Sequence, residues 1–249
     1  MQISHADRVR MERAHVLAWP ALSTAVIDGW LWRSSGGGSQ RANSVSTIDF
    51  HGNDPRSAID EVEARYGAAG APARFQTYDH SEPSGLADLL RQRGYTDGET
   101  TLTMFKRLEP TAAPAQVEVR DHPSDGWCDV YMGAITESRR AVNRKILAGV
   151  PRPSAFFACR RDGRIVSTAL CVIGFGRAVV ECVATRSDAR QQGSARGVMA
   201  GLLSWAAQQG ADLVGLQVVA GNVPAVQLYQ SLGFVPGATN RFWLADRNV

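Results

Sequence analysis

No stretch of this chain approaches the roughly 18 consecutive apolar residues of a membrane span. Its first residues, MQISHADRVRMERAH, are charged throughout and lack the apolar centre of a signal peptide, so no membrane association is expected. Cysteine is scarce: Cys128, Cys159, Cys171 and Cys182 show no CxxC spacing and fit reduced, mostly buried thiols in a cytoplasmic protein. The five histidines (His5, His15, His51, His80 and His122) have no metal-ligand spacing, so neither a metal site nor a Ser-His-Asp triad is expected. The excess of positive charge is only +3 and is scattered, which argues against a nucleic-acid partner. No lysine follows Gly36-Gly-Gly38 and no helix pattern starts there, so this triplet reads as a hairpin turn rather than a phosphate loop.

What is present suits an ordinary folded protein. Hydrophobic residues make up 44% and charged residues 20%, so disorder is not expected. A chain of 249 residues is long for one compact domain and comfortable for two of roughly 110 to 140 residues. Glu109-Pro-Thr-Ala-Ala-Pro-Ala-Gln116 has two prolines and no apolar periodicity; as a linker it divides the chain into domains 1–112 and 113–249.

Before that segment, 29–33, 74–78 and 100–108 read as strands, and 57–66 and 85–93 as helices. After it come a helix over 130–147, strands over 155–159, 165–174 and 178–185, and a helix over 194–208. A strand over 213–219, a helix over 224–232 and a strand near Arg241 close the chain. Both halves end on a helix followed by Gly-aromatic (Arg93-Gly-Tyr95, Leu232-Gly-Phe234) and a strand, a faint internal repeat. The first half has Asn53-Asp-Pro-Arg before its helix rather than a glycine loop, so it is not expected to bind a phosphorylated cofactor.

The second half carries the chemistry. Val183-Ala-Thr-Arg-Ser-Asp-Ala-Arg-Gln-Gln-Gly-Ser-Ala-Arg-Gly197 reads as a strand, a polar turn and a glycine-containing loop opening into an amphipathic helix. The first amides of a helix have no internal partner and point outward, so this order of elements makes a phosphate site. Gly193, Ala195 and Gly197 keep side-chain bulk away from those amides.

Arg190-x-x-Gly193-x-Ala195 resembles the Q/R-x-x-G-x-G/A signature of the GNAT superfamily of acetyl-CoA-dependent N-acetyltransferases. Asn222-Val-Pro-Ala225-Val-Gln-Leu228-Tyr229-Gln-Ser-Leu-Gly233-Phe234 is similar to its second hallmark. Ser187 stands where many relatives have proline, and the second small residue is Ala195 rather than glycine; neither change removes a backbone donor. The resemblance implies a mixed α/β fold, with a central mixed twisted sheet flanked by helices, in two tandem copies of which the first is degenerate.

It also implies roles. Arg190, Gln191, Gln192, Gly193, Ser194, Ala195 and Arg196 would bind the CoA pyrophosphate, and Val183, Ala184 and Thr185 would line the pantetheine arm where their strand splays from its neighbour. The Val183 amide would donate to the thioester carbonyl and the oxyanion developing there, a contribution typically of about 10²–10³ in rate. Tyr229 is the candidate general acid, or else a core aromatic. Glu181, a carboxylate in an apolar strand and on an ideal strand facing the same side as Val183, is the candidate general base, or else the partner of an arginine. Asn222 would contact the cofactor arm, cap its helix, or both. Cys182, the alternate residue to Val183, would face away and carry no acyl group.

Arg139, Arg140, Arg144 and Lys145 form either a solvated helix face or a site for an anionic acceptor or the CoA 3′-phosphate. The expected activity is acetyl transfer to a small-molecule or peptide amine; a non-catalytic acyl-CoA sensor and a transferase for a longer acyl group remain open, as does a homodimer. Gly193→Glu should abolish the micromolar acetyl-CoA binding expected of the wild type in calorimetry, because it puts bulk and negative charge at the pyrophosphate position. Equal binding by the variant would place the site elsewhere.

Overall fold

The computed structural model describes residues 2–109 and 117–245. Apart from Glu109, the segment read as a linker, with the boundary drawn inside it, lies outside the described residues. The chain opens with α1 (His5–Ala18), capped by Ser4, whose hydroxyl accepts from the Asp7 amide. The sequence pattern conceals this helix because its inner side is half polar: Met11, Ala14 and Ala18 share it with Glu12 and His15, all buried.

The first half continues with β1 (Ser23–Ile27), β2 (Trp30–Ser34), β3 (Val45–Ser46), α2 (Pro55–Ala68), β4 (Arg74–Tyr78), α3 (Leu86–Gln92), β5 (Tyr95–Asp97) and β6 (Thr101–Arg107). The second contains β7 (Val117–Arg120), α4 (Asp125–Gly133), α5 (Glu137–Ala148), β8 (Ser154–Arg161), β9 (Arg164–Gly174), β10 (Arg177–Thr185), α6 (Ser194–Gln208), β11 (Leu213–Val219), α7 (Val223–Ser231) and β12 (Val235–Ala245). Among the described residues no helix is long and apolar enough to cross a membrane.

The architecture is mixed α/β: one twelve-stranded mixed sheet flanked by helices, a strand count that suits two copies of a smaller unit. Strand order is β1-β2-β3-β4-β12-β6-β11-β10-β9-β8-β7, with β5 also on β12; β3–β4 and β10–β11 are parallel and the other pairs antiparallel. The halves are interleaved. β6 of the first half lies between β11 and β12, while β12 reaches across to pair with β4 and β5.

Three apolar clusters follow from this layering. α1, α4 and α5 pack on one face of the second half around Met11, Trp127, Ile146 and Leu170. α6 and α7 pack on the other face around Val198, Leu202, Leu216 and Tyr229. α2 and α3 cover the first half around Trp30, Ile59 and Phe75. The paired helix ends that the repeat predicted are present: Gly94 and Gly233 have φ of +80° and +85° just beyond α3 and α7, a left-handed step that returns the chain to the sheet.

Two expectations are corrected. The helix read over 130–147 is two, because the chain breaks at Ala134 and restarts after Thr136. Gly36-Gly-Gly38 is no tight hairpin: residues 35–44 separate β2 from its antiparallel partner β3 and include a 3₁₀ turn, Arg41–Asn43. Asn43 holds this loop in shape, accepting from the Ser35 amide at 2.8 Å and donating to the Ser39 carbonyl at 2.7 Å.

α1 lies so close to β11 that a Cβ at Gly215 would overlap the Met11 thioether. Gly215→Ala should therefore destabilise the protein by about 1–3 kcal/mol in urea unfolding. Met11→Ala should recover part of that loss in the double variant; strictly additive costs would mean that the helix sits elsewhere.

Candidate functional site

Parallel pairing of β10 with β11 covers Ala178, Val179 and Val180 against Val214, Gly215 and Leu216, and then stops. β11 runs on to Val219 against β6, while β10 runs on to Thr185 against β9, so the two strands part after Val180 and Leu216. Within that stretch β10 carries a bulge: Glu181 opposes Leu170 but Ala184 opposes Thr168, one residue more than the partner strand has. Cys182 takes up the extra length at φ +54°, the left-handed region that a non-glycine residue rarely adopts.

The bulge resets the alternation. Glu181 turns toward α1 and the first half, whereas Val183 packs with the cluster under α6 and α7; the shared face expected for an ideal strand is lost. Cys182 packs with the opposite cluster from Val183, as alternation predicted, and burial pushes its thiol pKa well up. Ala184 is buried, and its carbonyl accepts from the Ser167 hydroxyl at 3.0 Å; Thr185 meets the same hydroxyl at 2.9 Å.

After a 3₁₀ turn at Ser187–Ala189, the loop presents Arg190, Gln191, Gln192 and Gly193 on the surface. Gln191 and Gly193 have φ of +58° and +82°, and Gly193 occupies the N-cap of α6. Apart from its chain neighbours, nothing lies within 4 Å of where a Cβ on Gly193 would stand, so the space there is open. Helical bonding begins with the Gly197 amide on the Gly193 carbonyl at 3.0 Å, so the amides of Ser194, Ala195 and Arg196 have no intrahelical partner. Ser194 is buried, Ala195 half-buried and Arg196 exposed; the Arg196 guanidinium donates to the Ser231 hydroxyl at 2.7 Å, tying α6 to α7.

Asn222 caps α7, accepting from the Ala225 amide at 3.4 Å. Tyr229 projects from α7 into the cluster beneath α6 and meets Phe234 edge-on at 6.1 Å. Burial, and secondarily the Glu181 charge, pushes its phenol pKa up to about 12.

Glu181 is buried, and Arg41, from the loop after β2, grips it with both terminal nitrogens, Nη2 to Oε2 at 2.6 Å. His15 Nδ1 lies 3.7 Å from Oε1. Burial alone would raise the Glu181 carboxyl. The Arg41 guanidinium, by charge and hydrogen bonds, outweighs that with help from His15 and holds it at about 2. A carboxylate of that acidity takes up a proton poorly, so the geometry favours the arginine-partner reading of Glu181 over the base.

Neighbouring Glu12 is fully buried, accepting from the Thr103 hydroxyl at 2.6 Å and the Gln217 amide at 2.7 Å, and burial raises its pKa. Beside these groups opens a cavity of about 610 Å³ lined by Trp19, Arg41, Arg74, Tyr131, Arg139 and Gln217 among others. Sequence reasoning missed Arg41, Arg74, Glu12 and Gln217. A carboxylate in an apolar strand does call for a cation, but nothing in the chain order says which arginine answers.

The sequence profile of a family described as "Probable histone acetyltransferase Rv0428c C-terminal" matches residues 6–243. An uncharacterized N-acetyltransferase of Bacillus subtilis, YobR, is 27% identical over 241 residues, spanning 92% of this chain and 95% of that protein. Among solved structures, a GCN5-related N-acetyltransferase from Kribbella flavida covers 98% of this chain and 96% of its own, with a TM-score of 0.71 and 20% identity. A tandem GNAT protein from the clavulanic acid biosynthesis pathway covers 81% and 74%, with a TM-score of 0.63 and 15% identity. Both likenesses show the same fold.

Replacing Glu181 by Gln should cost about 3 kcal/mol, because it leaves the Arg41 charge without its counter-ion. The folded carboxyl value is depressed, so its contribution is fully present above the unfolded value of 4.5 and drains away as pH falls through about 2. Wild-type and variant stabilities, read by chemical denaturation, should therefore converge from pH 4.5 down to 2. Glu12, shifted upward, has the opposite sign and titrates above that window in both proteins. A gap independent of pH would overturn the pairing.

Proposed function

The chain belongs to the family of the probable histone acetyltransferase Rv0428c C-terminal region, and so to the GNAT N-acetyltransferases; from that premise we propose that it transfers an acetyl group from acetyl-CoA to a primary amine by direct attack of the neutral amine. The observation that carries this reading is the parting of β10 from β11 beside the glycine-led start of α6. Acetyl-CoA supplies the activated acetyl thioester.

The residues around the parting suit it. The open space over Gly193 and the unpartnered amides of Ser194, Ala195 and Arg196 suit a diphosphate, whose charge the helix dipole favours. Val183 to Thr185 have no β11 partner, and apart from the Ala184 carbonyl, which the Ser167 hydroxyl meets, the main-chain groups on that edge suit an extended pantetheine arm. The Val183 amide is our choice as donor to the carbonyl oxygen, a role that the bulge before it serves by turning the backbone. Asn222 serves this reading through its cap, which fixes the start of α7 and with it the height of Tyr229.

Tyr229 holds its proton throughout the neutral range and is the group we assign to protonate the departing sulfur as the C–S bond breaks; the proton that the nitrogen sheds as the N–C bond forms restores the phenol. Glu181 is assigned a positioning role: its charge places Arg41 at the cavity floor. No side chain takes a covalent acyl group in this scheme.

Tyr229→Phe should lower kcat by about 10²-fold while leaving acetyl-CoA affinity unchanged in calorimetry. Cys182→Ala should keep its turnover. Full activity in Tyr229→Phe would remove the acid from the scheme, and an inactive Cys182→Ala that still binds acetyl-CoA would point to a covalent route.

A further inference from the structure

The cavity beside the strand parting is built for charge of one sign. Its charged lining is Arg41, Arg74 and Arg139, and no carboxylate is among the residues that line it. Arg41 is neutralised from below by Glu181. Arg74 and Arg139 have no such counter-ion: among the described residues neither enters an ion pair, and each is steadied only by a carbonyl. Arg74 donates to the Asn43 carbonyl at 3.2 Å and Arg139 to the Gly38 carbonyl at 2.9 Å.

Both carbonyls belong to the loop after β2, so this loop aims two guanidinium groups without cancelling their charge. Arg74 is half-buried, and burial lowers its pKa, the mark of a cation withdrawn from water with no carboxylate paired to it. Trp19 and Phe242 supply apolar wall to the same cavity. Beyond Arg74 a recess of about 230 Å³ holds Asp97 and Glu99, but Asp97 is taken by Arg241 at 2.5 Å and Glu99 stands on the exposed rim.

Position relates this charge to the chemistry. Gln217 and Val219, on the far wall, lie on β11 just past the point where β10 leaves it. Arg74 lies on β4, and β6 and β12 intervene between β4 and β11, roughly 14 Å at about 4.8 Å per strand. A guanidinium on an extended side chain spans part of that distance. An acceptor with its amine at the parting thus meets Arg74 only at its far end.

We infer that this cavity selects a primary amine that carries a carboxylate or phosphate at its far end, held by Arg74 and Arg139. The inference rests on the acetyltransferase reading for the amine and on the cavity itself for the anion. A carboxylate or phosphate fits the flat guanidinium fork; the half-buried setting of Arg74 strengthens its contact, while Arg139 is exposed. A polyamine or a lysine-rich segment would bring positive charge to two uncompensated positive charges.

The test uses the full chain with CoA present and four probes: γ-aminobutyrate, O-phosphoethanolamine, the neutral amide of γ-aminobutyrate, and putrescine. Calorimetry should show binding of an anionic probe, with the amide at least about tenfold weaker and putrescine weaker still. Thiol release from acetyl-CoA should follow the same order. Arg74→Gln and Arg139→Gln should each pull the ratio of anionic to amide kcat/KM toward one, with acetyl-CoA affinity retained as the control for folding.

Preference for carboxylate over phosphate, or the reverse, identifies which anion the site takes. Binding of putrescine in preference to both anionic probes, no binding of either anionic probe, or a selectivity ratio untouched by the two variants would overturn the inference. An anionic probe that binds through these arginines but is never acetylated would uphold the anion site and sink the acetyltransferase reading of the cleft instead.

Discussion

The buried contact between Arg41 and Glu181 is the constraint on which the rest of this site depends. A carboxylate withdrawn from water on an apolar strand is costly unless a cation meets it with good geometry, and here the cation comes from the other half of the chain. The loop that delivers Arg41 spans residues 35–44, and Asn43 holds its shape by bonding to Ser35 and Ser39. The same loop uses its Gly38 carbonyl to receive Arg139 from α5. One ion pair thus sets the floor of the cavity, fixes the loop that walls it, and anchors the first half against β10.

That strand owes its form to one extra residue. Without the bulge between Glu181 and Ala184, Glu181 and Val183 would face the same side, and the carboxylate would lie on the side of the proposed cofactor. With it, the carboxylate turns toward Arg41 and His15, and Val183 turns toward α6 and α7. The strained φ of Cys182 is the local cost, set against packing on both sides of the strand. Acidity and position are therefore coupled: the turn that lets Glu181 find its arginine is also what depresses its pKa.

The halves cooperate more closely than beads on a string. α1 lies on the sheet of the second half, where Asp7 pairs with Arg177 at 2.6 Å and Glu12 takes hydrogen bonds from Thr103 and Gln217. Those two donors sit on β6 and β11, adjacent strands from different halves, so a single buried carboxylate spans the seam. The exchange of β6 and β12 extends the same principle through the backbone. Much of the cavity is consequently made of residues far apart in the chain, from Trp19 to Phe242.

Local order was legible in the residues themselves. The helix of Ser194–Gln208, the strand of Leu213–Val219, the cap at Asn222 and the left-handed glycines at Gly94 and Gly233 all follow from periodicity and turn chemistry acting over a few residues. The family resemblance likewise lay in two short motifs. What could not be read was any feature whose partner is distant: the half-polar helix α1, the strand exchange, the bulge at Cys182, and the identity of the arginine that meets Glu181. The sequence determined where a glycine-led helix start and the tyrosine of α7 would stand, because each depends on near neighbours. Only the tertiary structure decided which arginine Glu181 meets and which charges line the cavity, because burial and the approach of a counter-charge are properties of residues brought together by folding.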